Sequence, residues 1–243
     1  MDQSLRQLLA AGKSGAGWIS TAVGSGLMNT MRSNVQHPFD RMFFRNTANL
    51  AGQTVNFFQV PIGGNYNVLN GGGSQITKTQ ADTNWDMANQ AQYDYLLTGM
   101  YLKVQNLTQQ PYQAAPNDLT SWPEYLKTLL EDSFVQITVE DNVLTRQKAI
   151  HFPEGNAVTG ALASASGTVA STLGQNIASS GHPAQSNIFG FGMNALWIPK
   201  GTRLNVGLTF GASQLTADAV YKPAANVIFA EVRFQGVKFQ ATV

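Results

Sequence analysis

Residues 227–239 read Val-Ile-Phe-Ala-Glu-Val-Arg-Phe-Gln-Gly-Val-Lys-Phe. β-Branched and aromatic residues dominate this run, and these are the residue types that strands favour. In its second half Val232, Phe234 and Gly236 alternate with polar residues such as Arg233, which predicts one buried and one exposed face. A long strand near a chain terminus is normally tied into a sheet rather than frayed. The run therefore predicts a strand at the centre of a sheet.

Similar strand signals recur along the chain. Phe134–Glu140 alternates apolar and polar residues. Asp141-Asn142 can form the turn of a hairpin between this run and Val143–Phe152. Gly99, within a long run, suggests a bulge. Regular helices between the strands are missing from the pattern, which argues against a parallel α/β sheet. The runs besides the last are Arg41–Asn46, Thr54–Val60, Tyr93–Leu107, Phe134–Glu140, Val143–Phe152, Ile188–Ile198 and Thr202–Phe210.

About eight or nine strands favour an all-β fold, an antiparallel β-sandwich, of which the jelly roll is the eight-stranded version. One short helix is also predicted. Ser121 can cap it, Pro123 falls in its first turn, and Glu124 completes a capping box. Three leucines then supply an apolar face, and the helix is expected to end near Asp132. The leucines are Leu126, Leu129 and Leu130.

Residues 155–187 consist mainly of Gly, Ala, Ser and Thr, without clear periodicity. So long a stretch is uncommon inside a compact domain. We expect either a mobile loop between two strands or an arm that becomes ordered on contact.

Residues 1–39 differ in character from the β body predicted over 40–243. Apolar and small residues recur there at spacings of three and four, which predicts an amphipathic helical arm. Its glycines weaken a helix, so a flexible tail remains an alternative. Trp18 could act as an interfacial anchor, and His37-Pro38 ends the arm. The seam residues are Leu5, Leu9, Gly12, Ala16, Ile19 and Val23.

The N-terminal part is also cationic. Up to residue 45 the chain holds five Lys or Arg and two Asp, whereas the remainder holds ten Lys or Arg and twelve Asp or Glu. The five cations are Arg6, Lys13, Arg32, Arg41 and Arg45. A net charge of +1 argues against a dedicated nucleic-acid-binding domain. Scattered charges and interrupting glycines fit neither a secretory signal nor a membrane span.

The composition of the body suits contacts between copies of the chain. Charged residues make up 12% of the sequence, about half the usual share, while Asn and Gln number 39. Amides can form hydrogen bonds at an interface without the cost of burying ions. A neutral monomeric β protein is the alternative on composition alone.

No residue pattern predicts a catalytic, cofactor or metal site. The absence of cysteine excludes disulfides and thiolate ligands. His37, His151 and His182 share no metal-ligand spacing. The acidic pairs Glu131/Asp132 and Glu140/Asp141 are sequence neighbours, so they do not form a ready glycosidase dyad across a cleft.

The order of these parts resembles the jelly-roll coat proteins of viruses, particularly of tailless bacteriophages with a lipid layer under the shell. The similar parts are the cationic arm with Trp18, the aromatic first strand at Met42–Phe44, the long loops, the Ile198–Val206 segment and the hydrophobic final strand. Two stacked jelly rolls are usual in several such families, but this chain is short for two and does not show two similar halves. A single roll with elaborated loops is therefore expected first, and a compact double roll second.

The function it implies is that of a structural virion protein, a capsid subunit located in the virion. Its partners would be copies of itself, in a homo-oligomer such as a trimer, and other virion proteins. Arg6, Lys13, Trp18 and Arg32 would face the interior and meet a membrane surface or nucleic acid. The alternative is a carbohydrate-binding or adhesive sandwich module, such as a phage spike or fibre component. A polysaccharide hydrolase is the third reading.

Overall fold

The computed structural model describes residues 31–35, 37–46, 50–88, 90–106, 118–152, 159–163, 175–179, 188–191, 195–212 and 227–241. This part of the chain is built mainly of antiparallel strands, with one α-helix and one short 3-10 turn at Ala149–His151. The helix, α1, spans Asp118–Asp132. The strands are β1 Met31–Val35, β2 Phe39–Arg45, β3 Thr54–Phe57, β4 Asn65–Asn67, β5 Gln75–Thr77, β6 Asp94–Asn106, β7 Phe134–Val139, β8 Asn142–Lys148, β9 Thr159–Ala163, β10 Gln175–Ser179, β11 Phe189–Gly190, β12 Leu196–Ile198, β13 Leu204–Thr209 and β14 Val227–Ala241.

Strand β14 is the centre of the larger sheet, here called sheet A. One edge of β14 pairs with β1 and β2, and the other edge pairs with β6. On its far edge β6 pairs with β10, β11 and β12, and β10 pairs with β9. Every one of these pairings is antiparallel. The prediction of a central strand over residues 227–239 is confirmed.

Strands β1 and β2 continue one ladder along the same edge of β14. β1 begins opposite Ala241 and β2 ends opposite Val227, with no change of register between them. Pro38 lies in the interruption and has no N–H to donate, but its carbonyl oxygen accepts a hydrogen bond of 2.8 Å from the Phe234 N–H. Residues 31–35, which fall within the predicted arm of residues 1–39, form β1 and are paired into sheet A. Residues 1–30 lie outside the described residues.

The smaller sheet, sheet B, has the strand order β3-β13-β7-β8, and β4 and β5 form a separate hairpin. The two sheets share one hydrophobic core, so the prediction of an all-β antiparallel sandwich is confirmed. Aromatic rings link the sheets: Phe44 lies 5.3 Å from Phe210, and Phe58 lies 5.6 Å from Phe234, between ring centroids. Core residues of the strands include Met42, Phe44, Leu102, Val104, Ile228 and Val232 from sheet A, and Val55, Phe57, Val135, Ile137, Leu204, Val206 and Leu208 from sheet B.

The bulge predicted around Gly99 lies on β6. Gln235 of β14 is opposite Gly99, whereas the next residue, Gly236, is opposite Leu97, so Thr98 is the extra residue. The Thr98 hydroxyl donates a 3.3 Å hydrogen bond to the Gln235 carbonyl oxygen. This bulge shifts the register at one end of the central pair of strands.

Helix α1 differs from its prediction at its start. It begins three residues before Ser121, so Ser121 and Glu124 lie inside the helix and the capping-box prediction is wrong. Asp118 is of a residue type favoured in the first turn, near the positive end of the helix dipole. The predicted apolar face and the end at Asp132 are confirmed. Among residues 125–132 of α1, the buried ones are Tyr125, Leu126, Leu129 and Leu130. No helix in the described ranges is long and apolar enough to cross a membrane.

Two other predictions need correction. The strand predicted over Thr54–Val60 ends at Phe57, because Phe58 has a φ of 63° in the left-handed region, which breaks the ladder. The loop predicted over residues 155–187 contains β9 and β10, which pair with each other. Their side chains are mostly small, so alternation is hidden in the sequence, and the ladder is formed by the backbone.

Replacing Gly99 with alanine tests how closely β11 must approach β6. An added Cβ would lie 2.5 Å from Ile188 Cγ2 and 3.0 Å from the Phe189 carbonyl oxygen. We expect Gly99→Ala to lower the free energy of unfolding by about 1–3 kcal/mol, the usual cost of overpacking, as measured by urea denaturation. The control is Gly207→Ala in sheet B, where the nearest atom to the added Cβ is Thr54 Cγ2 at 3.3 Å. An equal loss in both variants would contradict this explanation.

Candidate functional surface on the large sheet

The outer face of sheet A carries charged and aromatic residues in three cross-strand rows, here called the three-row face. In β2 the even-numbered residues are buried and face the core. The odd-numbered residues are more exposed and belong to the outer face. The antiparallel registers with β14 and β6 extend each row over three strands. The rows are Phe43, Phe229 and Gln105; Arg41, Glu231 and Lys103; and Phe39, Arg233 and Tyr101.

Glu231 is the buried anion at the centre of the three-row face, with a side chain that is 1% exposed. Arg41 donates to its Oε2 atom from Nε at 3.0 Å and from Nη2 at 2.7 Å. Arg233 donates from Nη2 to the Oε1 atom at 2.5 Å. Both carboxylate oxygens are therefore occupied by guanidinium groups, which offsets the cost of burying the charge.

Aromatic rings support the two guanidinium groups. The Arg41 Cζ atom lies 4.6 Å from the ring centroid of Phe229, and Arg233 Cζ lies 5.5 Å from Phe39 and 5.6 Å from Tyr101. These distances are in the range of cation–π contacts. Burial alone would lower the pKa of Arg233, but the Glu231 carboxylate outweighs it and the pKa is raised. Arg233 therefore stays charged, and the aromatic rings hold both guanidinium groups against the sheet.

The three-row face has an excess of positive charge. Its three cations, Arg41, Lys103 and Arg233, outnumber its one carboxylate, Glu231, which leaves a formal charge of +2. The exposed Arg45 lies at the end of β2. The side chains of Arg41 and Arg233 are 29% and 34% exposed, so part of each side chain reaches solvent. Such a face can attract phosphate or carboxylate groups.

A second polar cluster lies inside the sandwich, on the opposite face of β2. Asp40 and Lys78 form an ion pair whose side chains are both 0% exposed. The Phe58 N–H donates a 2.6 Å hydrogen bond to Asp40 Oδ2, and Lys78 donates to Oδ1. The Lys78 Nζ atom lies 5.6 Å from the ring centroid of Tyr66. Burial raises the pKa of Asp40 and lowers the pKa of Lys78, and each partner's charge opposes the shift.

The residues predicted to face an interior are only partly covered by the structure. Arg32 lies on β1, opposite Gln240 of β14, so its backbone belongs to sheet A. Arg6, Lys13 and Trp18 lie outside the described residues. The three-row face was missed by the sequence reasoning, although one signal was available, because Glu231 stands in the middle of an apolar run.

Among the described residues, the other polar side chains considered in the sequence do not come together. His37 and His151 are exposed. The Glu140 carboxylate accepts a 2.9 Å hydrogen bond from the Arg203 N–H. Trp85 is a core residue, stacked on Tyr95 at 5.6 Å. Within the described ranges, no cluster of three or more His, Cys, Asp or Glu side chains could hold a metal ion.

Comparisons with known proteins give no relative. No protein-family model matches the chain, and no curated protein sequence matches it.

Replacing Glu231 with glutamine tests the role of the buried carboxylate. The amide keeps the shape but can accept at one oxygen only, so one guanidinium loses its partner. We expect the Glu231→Gln variant to lose about 1.5–3 kcal/mol of free energy of unfolding, the range for hydrogen bonds to charged groups. Guanidinium chloride is a salt and would screen the charges, so unfolding is measured in urea. The control is Glu131→Gln, an exposed acid of α1, which should change stability by less than about 0.5 kcal/mol. Equal effects would refute the assignment.

Proposed function

We propose that the chain is a structural subunit of a virus shell, built on a single jelly roll, which associates with copies of itself. The observation that carries the proposal is the nesting of strand pairs. If β11 and β12 are counted together, the eight principal strands are β2, β3, β6, β7, β8, β11–β12, β13 and β14. The first pairs with the last, the second with the seventh, the third with the sixth and the fourth with the fifth.

A long antiparallel hairpin with this nesting becomes a two-sheet sandwich when it is rolled up. The closing contacts are then the pairs β14–β6 and β13–β7, and both are formed. Two Greek-key connections over eight strands are the hallmark of the jelly roll. One roll uses all the principal strands, whereas β1 extends β2, and the β4–β5 and β9–β10 hairpins are additions. This count favours a single roll over a compact double roll.

A jelly roll can serve many functions, so the surfaces must carry the rest of the proposal. The outer face of sheet B carries hydroxyl and amide groups, together with two cations, Arg146 and Lys148, on its edge strand β8. The Thr54 and Thr209 hydroxyl oxygens lie 2.8 Å apart, and Gln136 donates to Thr138 at 3.3 Å. Groups of this kind can bind a neighbouring copy without the burial of charge.

The opposite surface of the sandwich, the three-row face, is cationic. Strand β1 joins the cationic N-terminal segment to the same sheet. The proposal is that this side of the subunit faces the interior of the shell, where Arg6, Lys13, Trp18 and Arg32 would meet lipid headgroups or the genome. Contacts with an anionic surface contribute about 1 kcal/mol per charge, and many copies make weak contacts effective. Other virion proteins would be further partners.

The rival proposal, a carbohydrate-binding or adhesive module, has less support from the described residues. Sugar-binding surfaces present exposed aromatic rings, but the exposed large hydrophobic residues in the described ranges are Met87, Val143 and Leu144. The two proposals predict different oligomeric states for the protein, because an adhesive module can work as a monomer and a shell subunit cannot.

Light scattering and negative-stain electron microscopy of the purified full chain test the proposed function. We expect uniform rings, trimers or closed shells whose mass exceeds that of one chain. A monomer that stays monomeric over a wide range of salt and protein concentration, and that binds a glycan array, would replace the shell subunit with the adhesive module.

Deleting residues 1–30 tests the role of the N-terminal cations. Strand β1 is kept, since it pairs with β14, so we expect an unchanged midpoint of thermal unfolding. Binding to vesicles of anionic lipid, or to single-stranded DNA, should weaken, because Arg6 and Lys13 are removed. The matched control is the full chain with Arg6→Gln and Lys13→Gln. Undiminished binding in both variants would contradict an interior role for the arm, and the stronger of the two probes identifies lipid or genome as the partner.

A further inference from the structure

The buried pair of Asp40 and Lys78 has the setting for a covalent bond between side chains. Both side chains are 0% exposed, and Lys78 Nζ contacts the Asp40 carboxyl group directly. The surroundings are aromatic. Phe58, whose N–H donates to Asp40, has its ring centroid 5.2 Å from that of Trp85. The ring of Tyr66 lies beside Lys78. Water is therefore kept away from a carboxyl group and an amine that touch.

We propose that Lys78 and Asp40 are joined by an intramolecular isopeptide bond. The neutral amine of Lys78 attacks Cγ of the protonated Asp40 carboxyl group, so that a bond forms between Nζ and Cγ. The bond from Cγ to Oδ1 breaks, and Oδ1 leaves as water with the carboxyl proton and one amine proton. Oδ2 remains as the carbonyl oxygen of the new amide. No oxidant, reductant or other co-reactant is needed.

Phe58 supplies the group that would stabilise the reaction's intermediate. Its N–H donates to Asp40 Oδ2 at 2.6 Å, the oxygen on which negative charge develops when the amine adds to Cγ. A fixed backbone donor in this position acts as an oxyanion hole. Phe58 reaches it with a φ of 63°, an uncommon conformation for a bulky residue and one often found where strain serves a function.

The protonation states also suit the reaction. The reaction requires a neutral carboxylic acid and a neutral amine. The ionised pair reaches this state when one proton moves from the Lys78 ammonium to the Asp40 carboxylate. Burial favours the neutral form of both groups, since it raises the pKa of Asp40 and lowers the pKa of Lys78. The bond would fix β2 to the residue that follows β5, across 38 positions of sequence.

The test is the intact mass of the purified full chain, measured after denaturation. We expect a mass lower than that of the sequence by one molecule of water. The full sequence mass would overturn the proposal. Because a succinimide at Asp40 also loses one water, a digest with trypsin must follow.

In the digest, Lys78 is no longer a cleavage site once its amine is acylated. We expect a branched peptide in which residues 33–41 are joined to residues 46–103, confirmed by tandem mass spectrometry. Lighter protein with normal cleavage after Lys78 would identify the succinimide and overturn the bond. This test decides the proposal on the natural chain, whether or not variants fold.

Two variants complete the design. Lys78→Arg keeps a positive charge next to Asp40 but removes the nucleophilic amine, so its mass should match its own sequence. Lys200→Arg, at an exposed lysine, should still be lighter by one water. Loss of water in the Lys78→Arg variant would overturn the proposal. The outcome is independent of the proposed shell function, which is tested by the state of assembly.

Discussion

The pairing of β14 on both of its edges is the constraint on which the rest of the fold depends. This strand has residues from positions 31–45 on one edge and β6 on the other, so it joins the beginning, the middle and the end of the described chain. Its inner residues fill the core between the sheets, while its outer residues form the centre of the three-row face. A sheet held in this way has its strongest contacts between residues far apart in sequence, and such contacts form late and slowly in folding.

The two faces of β2 and β14 separate two kinds of electrostatics. On the outer face Glu231 is shared by two arginines whose side chains still reach solvent, so the carboxylate orders the cations without cancelling them. On the inner face Asp40 and Lys78 are isolated from water, and each has the other as its counter-charge. The outer group can therefore respond to an anionic partner, whereas the inner group affects stability alone. Before the proposed isopeptide bond forms, removing one partner of this buried pair would cost about 3–5 kcal/mol.

The elements that sequence reasoning predicted best have strong alternation. β14, β7 and the apolar face of α1 were predicted because apolar residues with large side chains mark a buried face. β9 and β10 were missed because small side chains carry no such signal, and the end of β3 was missed because a left-handed Phe58 is set by a tertiary hydrogen bond to Asp40. The candidate surface was harder still. Arg41, Glu231 and Lys103 are far apart in sequence and meet only through strand register, which a single sequence does not encode locally.

The shared register of β1 and β2 along one edge of β14 has a practical consequence for attaching labels. Because residue 31 is opposite residue 241, the segment before β1 and the segment after β14 leave the sandwich from the same corner. A fluorophore or affinity handle attached after β14 would therefore lie near the start of β1. The tight turn at Ala51-Gly52, whose amide bonds to the Phe210 carbonyl oxygen, lies at the far rim, and inserting a reporter peptide there would leave that corner undisturbed.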